Sequence, residues 1–247
     1  MQPDLVLLHT SPVHVPAFDA LRDRHHPGAV LRHLVEPELL ERARAEGPPA
    51  VAPALRAVLA ASGPAPVLVT CSTIGATAES LAPELGVSVL RVDRPMAAAA
   101  VRTGARIAVL AALESTLAPT AELLADEAGA GGRRVSVRTH LVAGAWECFE
   151  AGDADGYLAR VAAAADAVTG ADVIVLAQAS MAGAADLTTS PLPVLSSPAP
   201  GLAAGLRMRP GPGWGAYAPP SRETEQYGTK RRADAAAGPG PQPVPRS

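Results

Sequence analysis

Aromatic residues are scarce in this chain of 247 residues: Phe, Trp and Tyr together make up 3% of it. No stacking platform for a substrate is therefore readable from the sequence. Cysteine occurs twice, at Cys71 and Cys148, which is too few and too far apart for a disulfide framework and points to a reducing compartment, the cytoplasm. Lysine occurs once, at Lys230, within a Pro- and Gly-rich ending. Pyridoxal phosphate needs a buried lysine for its Schiff base, so that cofactor is excluded, and no cofactor motif appears elsewhere. No apolar run approaches the ~20 residues of a membrane span, and no basic-then-apolar leader precedes the first apolar run. The formal net charge of −3 argues against charge-driven binding to nucleic acid or a membrane surface. His25, His26 and His33 show no metal-ligand spacing, so no metal is expected.

Short apolar runs alternating with helical patterns are present throughout. Leu5 to Thr10 reads as a first strand and Phe18 to Arg24 as a short helix. Residues 29–35 read as a strand, and 37–46 and 51–62 carry apolar residues at helical spacing. Val67 to Thr70 is a strand, 76–85 a helix, 87–92 a strand and 95–102 a helix. The pattern then restarts, with a strand at 106–110, a helix from Ser115 to about residue 128 and a strand at 134–142. A helix over 146–168, a strand at 172–177, a short helix near Met181 and a strand at 192–195 complete it. Such a tandem predicts an α/β fold of two similar lobes, each a parallel sheet flanked by helices, the second less complete. The first lobe is expected over 5–97 plus 198–207 and the second over 98–197. From residue 208 the Pro/Gly-rich composition predicts a flexible tail without a catalytic role.

The turn at Thr70-Cys71-Ser72-Thr73 carries the strongest chemical signal. It joins a strand end to a helix start, where ligands of open α/β sheets bind and where backbone N–H groups favour a thiolate. Cys148 has a helical context and reads as a small buried hydrophobe. Asp172 to Met181 repeats the first turn's pattern in the second half, placing Gln178, Ala179 and Ser180 after an apolar strand. Ser115, Thr116 and Thr120 open a helix and suit an anion, or simply cap it. His9, with Thr10 and Ser11, ends the first strand on the ligand side.

Taken with Leu8-His9-Thr10-Ser11-Pro12, Val69-Thr70-Cys71-Ser72-Thr73, Ile107 to Thr120 and Val175 to Ala182, the sequence resembles the aspartate/glutamate/hydantoin racemase superfamily over residues 5–207. In that family a cysteine from each lobe flanks the substrate's α-carbon, one removing a proton and the other returning one. The resemblance implies Cys71 as the first-lobe acid/base and a small carboxylic acid as substrate. It implies His9, Thr10, Ser11, Ser72, Thr73, Ser115, Thr116, Thr120, Gln178, Ala179 and Ser180 as its surroundings, and a homo-oligomer is compatible with it. Gln178 stands where family members typically carry the second cysteine. An amide cannot relay a proton as a thiol does, so Cys71 is expected to work without a second thiol. A cofactor-independent racemase or isomerase acting next to a carboxylate is the first expectation. A one-cysteine decarboxylase or lyase, and a small-acid binder without turnover, are the alternatives.

Overall fold

A computed structural model describes residues 2–209; of the tail expected over 208–247, residues 210–247 lie outside the described residues. Strands β1 (Leu5–His9), β2 (Leu31–Val35), β3 (Val67–Val69) and β4 (Val89–Arg91) form one parallel sheet in the order β2-β1-β3-β4. Strands β5 (Arg106–Ala111), β6 (Ser136–Leu141), β7 (Val173–Leu176) and β8 (Val194–Ser196) form a second parallel sheet in the order β6-β5-β7-β8. The two orders are equivalent, so the second lobe is as complete as the first.

Both sheets are covered on both faces, which is why β1 and β7 are buried along their whole length and read as unbroken apolar runs. On the first sheet Val6, Leu8, Val67 and Val69 pack under α2 (Pro37–Glu46), α3 (Ala52–Ala61) and α4 (Ser72–Leu85). Its other face, Leu5, Leu7, Leu68 and Leu90, packs with Phe18 of α1 (His14–His25) and Leu202 of α10 (Pro198–Gly205). On the second sheet Ile107, Val109, Val173 and Val175 meet α5 (Arg94–Thr103) and α6 (Leu117–Ala130). The opposite face meets α7 (Ala145–Glu150), α8 (Ala154–Asp166) and α9 (Ala184–Leu187). Helix α5 spans the expected boundary at 97/98 and packs on the second sheet, while α10 returns to the first.

Two local expectations are corrected, and one helix is added for which no element was expected. The single helix over 146–168 is two, because Gly152 adopts a left-handed φ of 75° and Asp153 then starts a new helix by accepting the Gly156 N–H at 2.9 Å. Helix α10 forms across Pro198, Pro200, Gly201 and Gly205, residues that read as breakers. Its prolines fall in the first turn, where no N–H is needed, and Gly201 is required by contact: a Cβ there would lie 2.5 Å from the Val92 carbonyl oxygen. Met208 packs against the first core and Arg209 accepts a hydrogen bond from Ser88 Oγ at 2.7 Å, so the chain stays docked two residues beyond the expected end of the lobe. No described helix is long and apolar enough to cross a membrane.

Candidate active site

In each sheet the chain switches direction between the two central strands, β1 and β3 in one and β5 and β7 in the other. The carboxyl ends of central strands at such a switch open a crevice in which ligands bind. The loops leaving these four strands supply the predicted site residues: Thr10 and Ser11, Cys71, Ser115 and Thr116, and Gln178. One pocket gathers all of them but Ser115, with an empty volume of about 430 Å³ including its open mouth. Thr10, Ser11, Cys71, Ser72, Thr73, Thr116, Gln178, Ala179 and Ser180 line it. His9, Ser115 and Thr120 do not.

Cys71 is the N-cap of α4 with extended backbone (φ −107°, ψ 115°). Its side chain makes no capping hydrogen bond to the helix start, but the Thr10 and Thr73 side chains and the backbone N–H groups of Thr73 and Ile74 lie near enough to the sulfur to lower its pKa. Those donors favour a thiolate, as expected of a helix start, yet burial outweighs them and pushes the thiol above its ordinary value. The expectation of an activated thiolate is therefore corrected for the ligand-free protein, whose Cys71 rests as the thiol. Helix α4 comes close enough to hold this turn because residue 75 is glycine: a Cβ there would sit 2.9 Å from Arg91 Cβ.

Gln178 faces Cys71 from the second lobe, and its carbonyl oxygen has a defined task. Oε1 accepts the backbone N–H groups of Ala112 at 2.6 Å and Leu113 at 3.1 Å, where β5 ends. Two N–H donors fix the amide orientation, leaving its NH2 as the remaining donor. Ser180 Oγ pairs with the Tyr157 hydroxyl at 2.8 Å, and burial raises that phenol to about 12, so the pair stays neutral. Ser72 Oγ crosses to the second lobe, donating to the Ala177 carbonyl at 2.9 Å. Thr73 Oγ1 meets Ser115 Oγ at 3.5 Å, which ties Ser115 to the site through Thr73. Thr120 is fully buried within α6 with its hydroxyl unpartnered.

His9 supports the site from behind. Its Nδ1 lies 2.8 Å from Thr70 Oγ1, and Thr70 in turn donates to the Leu8 carbonyl at 3.1 Å. His9 is therefore the donor at Nδ1, and its Nε2 accepts from His33 Nδ1 at 2.8 Å. Burial lowers His9 to about 3 and keeps it neutral.

Three contributors were not singled out in the sequence. His14, at the start of α1, lines the pocket; burial lowers it to about 4, so it too is neutral. The strand-end rule that selected Thr10 and Ser11 reaches it one helical turn later. Trp146 and Phe149 of α7 form a further wall with Leu40 and Leu113, their rings stacked at 4.9 Å and 22°. Their three-residue spacing signals one helix face, but not that the face meets a cavity. Cys148, between them, packs against the second core. Among the described residues no cluster of His, Cys, Asp and Glu is arranged to hold a metal.

Behind the pocket, buried ion pairs join the lobes. Arg91 holds Asp93 through two bonds of 2.7 and 2.9 Å and reaches the Pro119 carbonyl of α6 at 3.3 Å. Arg94 bridges Glu79 of α4 at 2.6 Å to Glu127 of α6 at 2.7 Å.

Two parallel-sheet lobes with a cysteine turn at one switch point and an anchored amide at the other define a two-lobed α/β protein with a small interlobe pocket. The sequence pattern of the Asp/Glu/Hydantoin racemase family matches residues 15–204, and the chain belongs to that family. Allantoin racemase from Klebsiella pneumoniae is a similar solved structure (TM-score 0.55, 17% identity, 83% of this chain and 86% of that one). Glutamate racemase from Thermus thermophilus is another (TM-score 0.54, 16% identity, 81% and 78%). A cysteine-substituted variant of arylmalonate decarboxylase also matches (TM-score 0.52, 18% identity, 83% and 92%). At these identities the likeness establishes the shared fold. No curated protein sequence matches the chain.

Proposed function

We propose that the protein is a cofactor-independent racemase- or isomerase-type enzyme that moves a proton at the carbon next to a carboxylate, with Cys71 as the acid/base. The observation that carries this reading is the surroundings of Cys71: a thiol on the wall of the interlobe pocket at the start of α4, with Thr10 and the N–H groups of Thr73 and Ile74 beside it. The same donors suit the growing charge on sulfur once a proton leaves it, so they stabilise the thiolate where the reaction makes it. Family membership and the racemase structures of similar fold support the same chemistry. The NH2 of Gln178 is placed to donate to a carboxylate or enolate oxygen. Lys230, the sole lysine, leaves no described residue able to form a pyridoxal Schiff base.

Cys71→Ala should abolish incorporation of solvent deuterium at the α-carbon of a substrate acid, followed by proton NMR. Cys148→Ala should leave it within about twofold of the parent, as for a residue outside the pocket. Equal exchange by the Cys71 variant sinks the assignment.

A one-cysteine decarboxylase or lyase is the second reading, and the resting thiol favours it. A protonated Cys71 opposite a non-titrating Gln178 is ready to deliver one proton to an enolate left by loss of carbon dioxide, with no second thiol needed. Deuterium in unreacted substrate marks the first reading, and deuterium confined to product marks the second.

A further inference from the structure

We infer that the site takes a monocarboxylic acid whose remaining α-substituents are uncharged, one of them flat and apolar and seated against Trp146 and Phe149. The inference deepens the proposed function and rests on it. Its first ground is the charge of the lining. Among the described residues no Arg, Lys, Asp or Glu lines the pocket, and the one basic group among them that does, His14, is held neutral by burial. A second carboxylate would be desolvated there without a cation, and an α-ammonium without an anion; unpaired burial of either costs several kcal/mol. One carboxylate, by contrast, finds donors in the Gln178 amide and the Thr116 hydroxyl.

The second ground is the apolar wall. Trp146 and Phe149 are stacked, and Phe149 in turn tilts against Tyr157 at 5.4 Å, so the wall is braced from the core. Arg44 lies 5.6 Å from the Trp146 ring. This guanidinium does not line the pocket; it is engaged by Trp146 and by Glu150 at 3.8 Å. Glu150 also accepts the Trp146 indole N–H at 2.6 Å, which fixes the ring plane. A chain with 3% aromatic residues places two of them on one short helix facing the cavity, and an apolar substituent is what such a surface binds.

Protection of Cys71 from iodoacetamide tests this without turnover. Alkylation is followed residue by residue by mass spectrometry at pH 7.5, where the α-amine of phenylglycine stays protonated, over times long enough for the thiol to react, with Cys148 as internal control. The probes are acetate, succinate, phenylglycine and phenylacetate, used with the full-length protein. Phenylacetate should protect Cys71 at concentrations at least about tenfold below those of the other three, the selectivity expected for burying one aromatic ring. Trp146→Ala should remove most of that advantage while leaving protection by acetate unchanged, and Trp146→Phe, which keeps an apolar ring if the Ala variant does not fold, should retain it. Protection by succinate or phenylglycine equal to that by phenylacetate overturns the inference and leaves the Cys71 reading intact. Protection by none of the acids, acetate included, overturns the carboxylate site itself and the inference with it.

Discussion

Gln178 concentrates two tasks in one side chain, and substitution can separate them. Its carbonyl oxygen satisfies the Ala112 and Leu113 N–H groups, and its NH2 is the donor left for a ligand. Gln178→Leu strands two partly buried donors and should cost about 1–3 kcal/mol, the usual penalty for unmet hydrogen bonds. Gln178→Glu keeps the acceptor for both N–H groups but replaces the donor with a negative charge. Its urea midpoint should stay near the parent's, while acetate no longer protects Cys71 from alkylation. If both variants lose stability equally and both still bind acetate, the amide has only a structural task. A thiol at 178 would leave the end of β5 without this acceptor.

At the scale of elements, helix α4 matters most, because its first residues hold Cys71 and its body must lie close to β4. Gly75→Ala puts a methyl 2.9 Å from Arg91 Cβ, and both belong to rigid, buried elements. Overpacking of this kind costs about 1–3 kcal/mol. The expected outcome is a lower melting temperature together with slower α-hydrogen exchange, since the helix start moves with the helix. A lower melting temperature with unchanged exchange would show that the turn is held independently of α4. The strands and the Cys71 turn were legible in sequence because fully buried parallel strands read as unbroken apolar runs and the thiol follows one of them directly. Helix α10 was not, because its prolines and glycines are justified only by where they sit: first-turn prolines, and Gly201 against the Val92 backbone. Trp146 and Phe149 were hidden for a related reason. Helical spacing tells that residues share a face, but not whether that face meets a core or a cavity. The Arg94 bridge between Glu79 and Glu127 joins residues far apart in sequence, and no local pattern announces it.

For the whole molecule, the buried histidines set how the fold responds to acid. His9 is lowered to about 3 and His14 to about 4, both chiefly by burial, whereas in the unfolded chain each titrates near its ordinary 6.5. Unfolding therefore takes up protons below pH 6.5. The stability each neutral ring contributes is complete above that pH and is lost as pH falls from 6.5 toward the folded value. The slope approaches about 1.4 kcal/mol per pH unit for each histidine. Asp93, held below the usual carboxylate range by Arg91 against the penalty of its burial, acts in a lower window. Its contribution is present above 3.8 and is lost only as pH drops below that. Urea unfolding midpoints should therefore begin to fall below pH 6.5, well before Asp93 is protonated. His14→Gln removes one of the two rings and should roughly halve the slope between pH 6 and 4.5, leaving the drop below pH 4 in place. A parent protein whose midpoint is flat from pH 6.5 to 4.5 would show that these rings stay solvated enough to accept protons in the folded state.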